Sequence, residues 1–164
     1  MYAATEFARQ KYPGKPLLYL DSGNKFDLDK LKDMIDLINS GADMVLGNRV
    51  DTINAMRWHQ KLGTKAVLFG LNTFHGTNFI DISPFRLVQS SVFDTVQIEP
   101  KKFRWTTEML SKALATNHTI AEIDIVSKKR LGSSKISGTF INSLRAGGAM
   151  MSGLQFANYK GGNK

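Results

Sequence analysis

Between Leu17 and Arg49 the chain reads as apolar run, turn, amphipathic stretch, apolar run, and this succession limits its fold more than any other feature. Leu17-Leu18-Tyr19-Leu20 is too short for a buried helix and stops at the turn-forming Asp21-Ser22-Gly23-Asn24, which predicts a buried strand. Leu28, Leu31, Ile35 and Ile38 then recur at helical spacing, predicting a helix from about Leu28 with those four inward and Gly41 as its stop. Asp43 to Gly47 forms a second strand, leading directly into Asn48-Arg49. A strand, a helix and a strand in sequence define an α/β protein.

The remaining chain continues the alternation. Residues 2–11 form a short amphipathic helix ended by Pro13-Gly14, and residues 57–74 a longer helix with internal glycines. Phe79 to Val88 is strand-like, with Asp81 near its start and Phe85-Arg86 further along. Residues 104–116 form a helix, and Thr119 to Ser127 alternates polar and apolar residues as a half-buried strand does. A basic Gly/Ser loop, residues 128–135, precedes a final helical stretch over 136–158. Ile136, Phe140, Ile141, Leu144, Met151 and Leu154 give that stretch an apolar face, suited either to the core or to a membrane interface. At 164 residues the chain fits one domain, 1–164, without internal repeats.

Charge is where composition matters. The net charge is +8, with residues 1–98 carrying 11 Lys/Arg against 10 Asp/Glu and residues 99–164 carrying 11 against 4. That imbalance calls for an anionic partner, whether nucleic acid, an anionic membrane surface or a phosphorylated ligand. No cysteine is present, which removes disulfides and thiol chemistry. No apolar run reaches the roughly 18–20 residues of a membrane span and no signal-peptide pattern opens the sequence, so a cytoplasmic protein, peripheral at the membrane, is expected.

Four clusters carry chemistry. Asp21 lies just past a strand end, where open α/β sheets bind ligands, so it is placed for a metal or a ribose; it equally fits a turn cap. Arg49, again just past a strand, offers a fork for a diphosphate, or is simply a surface arginine. Asp81 is placed to act as a general base or metal-linked carboxylate, with a structural ion pair to an arginine as the competing reading. Arg130-Leu131-Gly132-Ser133-Ser134-Lys135 combines glycine, hydroxyls and cations as a phosphate cradle does, or as a solvated basic loop does.

In order and spacing these clusters resemble family 2 glycosyltransferases. LLYLDSGNKFDLDKLKDMIDLINSGADMVLGNR resembles the segment in which a strand ends in Asp-x-Asp and a later strand ends in Gly-Ser-Arg. FIDISPFRLV resembles the family's Asp-x-x-x-Gly-Phe-Arg-Leu-Phe, and WTTEMLSKALATNHTIAEIDIVSKKRLGSSK its ending in Arg-x-Gly-Ser-Ser-Lys. The nearest likeness, over roughly residues 3–150, is to the dolichyl- and polyprenyl-phosphate sugar synthases. It implies a glycosyltransferase A-type fold, a mixed sheet flanked by helices, and transfer from a nucleotide-diphosphate sugar to a polyprenyl phosphate. It also implies roles: Asp21 in the metal and diphosphate motif, Asp81 nearest the transfer chemistry, and Arg49, Arg86 and Arg130 on phosphates. Ser133, Ser134 and Lys135 would meet the lipid phosphate, while Glu108 and Glu122 match acids that are structural or positioning rather than catalytic.

Two departures qualify what the likeness implies. Gly23 replaces the second acid of Asp-x-Asp, which weakens a Mg²⁺ or Mn²⁺ site held through Asp21. The family's N-terminal half, which builds the nucleotide-base pocket, has no counterpart here. The resemblance thus implies a truncated form that needs a complementing partner chain for activity. Without that half the Leu17–Leu20 strand becomes an exposed edge, so homo-oligomerisation is the other expectation. A catalytically inactive module for lipid phosphate or membrane is the alternative function. A basic nucleic-acid binder ranks last, because the likeness explains the basic loop more economically.

Overall fold

A computed structural model describes residues 2–20, 25–26, 28–50, 58–99, 104–128 and 148–161. Its centre is a four-stranded mixed sheet of β1 (Leu17–Tyr19), β3 (Met44–Asn48), β4 (Arg86–Val88) and β5 (Ile120–Asp124), in the order β1-β4-β3-β5. β4 is antiparallel to both β1 and β3, and β5 is parallel to β3. β1, β3 and β5 therefore point the same way. β3, fully buried, lies inside the sheet, while β1 and β5 are its edges. A separate pair, β2 (Lys25–Phe26) with β6 (Ser127–Lys128), sets Lys25 opposite Lys128 and Phe26 opposite Ser127.

Side chains alternate between the two faces of the sheet, so each face has its own core. On one, Met44, Leu46 and Val88 meet Val67, Leu68 and Leu71 of α3 (Trp58–His75) and Met109, Leu110 and Ala113 of α5 (Trp105–Ala115). On the other, Val45, Leu87, Phe85 and Ile125 meet Met34 and Ile38 of α2 (Leu31–Asn39). The buried face of α2 is turned from the expected one: Met34 is inside and Ile35 is 41% exposed. Leu31 is compatible with either Met34 at i+3 or Ile35 at i+4, so spacing alone does not choose. A single 3₁₀ turn, Leu28–Lys30, leads into this helix, and Gly41 at φ +107° ends it.

α1 (Tyr2–Lys11) docks through a buried 2.8 Å hydrogen bond between the hydroxyls of Thr5 and Tyr19, and through Arg9 to Asp94 of the four-residue α4 (Val92–Thr95). The strand expected over 79–88 is regular only at 86–88. Pro84 offers no N–H, the Phe85 N–H bonds to Ser83 Oγ instead of a neighbouring strand, and Arg86 folds back to the Ser83 carbonyl. Upstream, the Asn72 amide stands in for a strand neighbour. It donates to the Phe79 carbonyl and accepts from the Phe79 N–H, both at 2.9 Å.

Of the final stretch expected to be helical, residues 136–147 lie outside the described residues; 148–151 are helical and Ser152–Asn158 is 3₁₀. Leu154 belongs to the main core. Gly153 comes so close to α5 that a Cβ there would stand 2.9 Å from the Glu108 backbone nitrogen. Phe156 and Tyr159 then cover the Lys112 ammonium, at 4.2 and 4.8 Å. No helix among the described residues is long and apolar enough to cross a membrane.

Candidate functional site

Because β1, β3 and β5 run together, their carboxyl ends share one end of the sheet, and the start of the antiparallel β4 joins them there. Open α/β sheets bind ligands at such an end. Asn48-Arg49 leaves β3 at this point. Asp81 arrives from the irregular segment before β4, and Glu122 and Asp124 lie on the last turns of the β5 ladder, with Asp124 opposite Asn48. Among the described candidates, the fold thus gathers Arg49, Asp81 and Arg86.

Arg49 and Asp81 form one unit. Arg49 Nε donates to Asp81 Oδ2 at 2.7 Å, Nη2 to Oδ1 at 2.8 Å, and the Arg49 backbone N–H to Oδ2 at 3.1 Å. Asp81 is wholly buried and Arg49 is nearly so, with 13% of its side chain exposed. A fork of this type fixes the guanidinium plane, because both parallel bonds must be kept. Of the five N–H donors on a guanidinium, about three remain for another oxygen-rich group.

Arg86 is fully buried. Its Nε and Nη2 donate to the Ser83 carbonyl, Nη1 donates to the Thr106 carbonyl, and the guanidinium lies 5.3 Å from the Trp105 ring centre. Burial lowers its pKa to about 10 even though the Asp81 carboxylate favours the charged form. Its described hydrogen bonds all run inward. Tyr19, across the ladder from Arg86, has its phenol pKa raised by burial, against the hydrogen bond from Thr5 and the charge of Arg86.

Beside this unit, burial raises the Glu122 pKa, opposed by hydrogen bonds from the Asn48 side chain and the Ile80 backbone. Asn48 is 3% exposed and its Oδ1 accepts no hydrogen bond. A buried amide oxygen without a donor is uncommon, since leaving it unpaired costs about 1–3 kcal/mol. Asn48, Asn72 and Ser83 shape this end of the sheet; Asn48 and Ser83 fall within the motifs that carry the resemblance, but at positions to which it assigns no role, and Asn72 lies in none. Asn72 and Ser83 act through side-chain bonds to the backbone, which leave no periodic trace in a sequence.

Asp21, Gly23, Arg130, Ser133, Ser134 and Lys135 lie outside the described residues. The chain on either side of them is fixed: β1 ends at Tyr19, and the β2–β6 pairing joins Lys25, just after the Asp21 turn, to Lys128, expected to open the basic loop and instead ending a strand. As for a metal, Asp81 has both oxygens engaged by Arg49, and no group of three His, Cys, Asp or Glu among the described residues is arranged to hold an ion. The described residues do not fit a Mg²⁺ or Mn²⁺ site, so no chemical step is derived through one. Away from this end, a groove between α1, α4 and α5 is lined by Tyr19, Phe93, Trp105, Lys112, Phe156 and Tyr159. It contains neither Arg49 nor Asp81.

The mixed sheet flanked by helices, with its polar cluster at the carboxyl ends of the parallel strands, is compatible with a glycosyltransferase-like fold. No family model matches the chain. Proteins named uncharacterized glycosyltransferase, one from Mycobacterium bovis and two from strains of Mycobacterium tuberculosis, are each 26% identical to it over 129 residues. That match takes in 77% of this chain and 59% of each relative's length. The chain thus spans about three-fifths of the length of these relatives.

Proposed function

We propose that the chain is a glycosyltransferase of the family 2 type that takes part in moving a sugar from a nucleotide-diphosphate donor to a polyprenyl phosphate. The observation that carries this reading is the Arg49–Asp81 fork at the carboxyl ends of the parallel strands. In such a transfer an oxygen of the acceptor phosphate forms the new bond to the anomeric carbon. The bond from that carbon to the donor diphosphate breaks, and its electron pair leaves with the diphosphate. A phosphate monoester is already anionic at neutral pH, so no proton need be removed from the attacking oxygen. The protein's task is then to stabilise charge on the leaving group. Asp81, committed on both oxygens, suits that task as the residue that positions Arg49, and the free N–H groups of Arg49 face the diphosphate. A sugar hydroxyl would satisfy Asn48 Oδ1. Arg130, Ser133, Ser134 and Lys135 are assigned to the acceptor phosphate, and Asp21 to the donor.

The match spans only part of the relatives' length, so binding is the first readout. Titration with uridine- and guanosine-diphosphate sugars should give saturable binding that Arg49→Gln weakens about tenfold or more. Radiolabelled transfer to polyprenyl phosphate follows for any donor that binds. Donor binding or transfer that Arg49→Gln leaves unchanged, in the chain alone or supplemented with the family's N-terminal half, would overturn the proposal. The second reading, a binding module without catalysis, is favoured by the inward hydrogen bonds of Arg86 to Ser83 and Thr106. It predicts that the chain binds polyprenyl phosphate while donor affinity is unaffected by Arg49→Gln.

A further inference from the structure

At the end of the sheet opposite Arg49 and Asp81, three side chains from three elements stand in line. Asp43 precedes β3, His118 precedes β5, and Thr95 closes α4. Thr95 Oγ1 lies 2.7 Å from His118 Nε2, and His118 Nδ1 lies 3.2 Å from Asp43 Oδ2. Backbone bonds hold each of the three in place. The Asp43 N–H donates to the Thr119 carbonyl at 2.9 Å, and the Thr119 N–H donates back to Asp43 Oδ2 at 2.8 Å. Asn117, left-handed at φ +59°, turns the chain out of α5, and the His118 N–H then donates to the Ala113 carbonyl at 2.9 Å. The Tyr159 hydroxyl donates to the Thr95 carbonyl at 3.0 Å.

With Asp43 on Nδ1, a neutral imidazole carries its hydrogen there and its lone pair on Nε2. The Thr95 hydroxyl has one hydrogen and two acceptors in reach, Nε2 at 2.7 Å and the Val92 carbonyl at 3.1 Å, and the shorter contact draws it to Nε2. A hydroxyl donating to an imidazole whose other nitrogen is held by a carboxylate is an activated nucleophile. Thr95 is exposed, while His118 shows only 15% of its side chain, so the nucleophile meets dissolved reactants and the base is shielded. We propose that Thr95, His118 and Asp43 form a second reactive site, at which Thr95 takes an acyl group from an activated aryl ester. Thr95 Oγ1 bonds to the acyl carbon as its proton passes to His118 Nε2. The bond from that carbon to the phenolic oxygen breaks, and His118 returns the proton to that oxygen. Water, giving a proton to the same Nε2, then releases the acyl group as a carboxylic acid and restores the hydroxyl. The three side chains provide a nucleophile and a base but no donor to the oxyanion, which in hydrolases is worth about 10²–10³ in rate. The substrate class is therefore esters with good leaving groups, not amides. Neither Arg49 nor Asp81 takes part, so this site is independent of the transferase reading.

The test uses the full chain with p-nitrophenyl acetate at neutral pH and no nucleotide sugar. Release of p-nitrophenolate is followed by absorbance, and acetyl groups are placed by peptide mass spectrometry. The parent should give a fast burst of about one equivalent and carry the acetyl group on Thr95. Thr95→Val should abolish the burst, Thr95→Ser should retain it, and His118→Gln should slow it about a hundredfold, the usual contribution of a general base. Thermal melts report whether each variant is folded. Should His118→Gln melt early, Asp43→Asn reads the same relay through its third member, with an expected slowing of about tenfold or more. Hydrogen bonds that merely fasten α4 to the sheet would leave no acetyl group on Thr95. Acetyl groups confined to lysines and the N-terminus would overturn the proposal, as would a burst equally fast in Thr95→Val or in the His118 and Asp43 variants.

Discussion

Replacing Glu108 by Gln removes a single charge from a buried ionic cluster on α5. Glu108 is wholly buried on α5 between two cations one turn away on either side. Its Oε2 accepts from Arg104 Nε at 3.1 Å, and its Oε1 accepts from Lys112 Nζ at 2.8 Å and from the Glu99 backbone N–H at 3.0 Å. The Arg104 and Lys112 side chains are only 8% and 4% exposed. Glutamine retains one acceptor but turns an N–H₂ toward a donor and leaves the two cations without their shared counter-charge. Removing one partner of a buried pair costs about 3–5 kcal/mol. Arg104 keeps a second carboxylate, Glu99, at 2.6 Å, and Lys112 keeps the Gln97 carbonyl and the Phe156 ring, so the lower figure applies. At about 2.1 cal/mol/K of unfolding entropy per residue, ~3 kcal/mol lowers the Tm of a chain this long by about 9 °C. Circular dichroism melts at pH 7 give the number. Repeating them in about 0.5 M salt should leave the difference in place, because buried charges are weakly screened. A Glu108→Gln chain that melts within about 2 °C of the parent would refute the assignment of Glu108 as the charge that holds α5 and its covering segment together.

Three further outcomes are expected. Gly153→Ala forces a Cβ to 2.9 Å from the Glu108 nitrogen and 3.0 Å from Thr107 Cβ; it should cost about 1–3 kcal/mol and raise hydrogen exchange over 148–161, and unchanged exchange would count against that close approach. Because the folded Glu122 pKa lies above its ordinary 4.5, the folded chain holds the extra proton between the two values. Stability of the parent relative to Glu122→Gln is therefore greatest below the ordinary value and declines as pH rises through the raised one, as paired urea titrations will show; a pH-independent difference would contradict it. At the β1 edge, Leu18→Lys should lower any concentration-dependent light scattering, whereas a parent that is strictly monomeric at micromolar concentration would mean that this edge draws no second copy.

The parts of the fold legible in the sequence were those that repeat. Met44–Asn48 and Ile120–Asp124 were visible as runs of apolar and alternating residues, and Trp58–His75 and Trp105–Ala115 as helical spacing. The turned face of α2 was not, since Met34 and Ile35 are both apolar and only the sheet decides which one it buries. The irregular 79–85 segment was hidden for another reason. Phe79, Ile82 and Phe85 are as buried as strand residues, but the Phe79 backbone bonds to the Asn72 side chain and the Phe85 N–H to Ser83 Oγ. In the candidate site, the motif spacing pointed to Arg49 and Asp81 separately. Their pairing joins residues 32 positions apart and follows from the β3–β4 neighbourhood, which no local pattern records.

The place of β4 in the sheet also bears on how the chain is made. Both of its neighbours, β1 and β3, leave the ribosome before it, and neither pairs with the other. The stretch from Asn48 to Arg86 takes about 2–8 s to emerge at ~5–20 residues per second, and throughout that interval β1 has no ladder partner. β3 must wait longer still for its other neighbour, β5, at Ile120. A nascent chain halted just short of Arg86 would contain every residue of β1 and β3 and yet hold none of the sheet's hydrogen bonds. Its apolar Leu17-Leu18-Tyr19 run would be open to other nascent chains, with Lys15 close by as the charge that discourages such pairing.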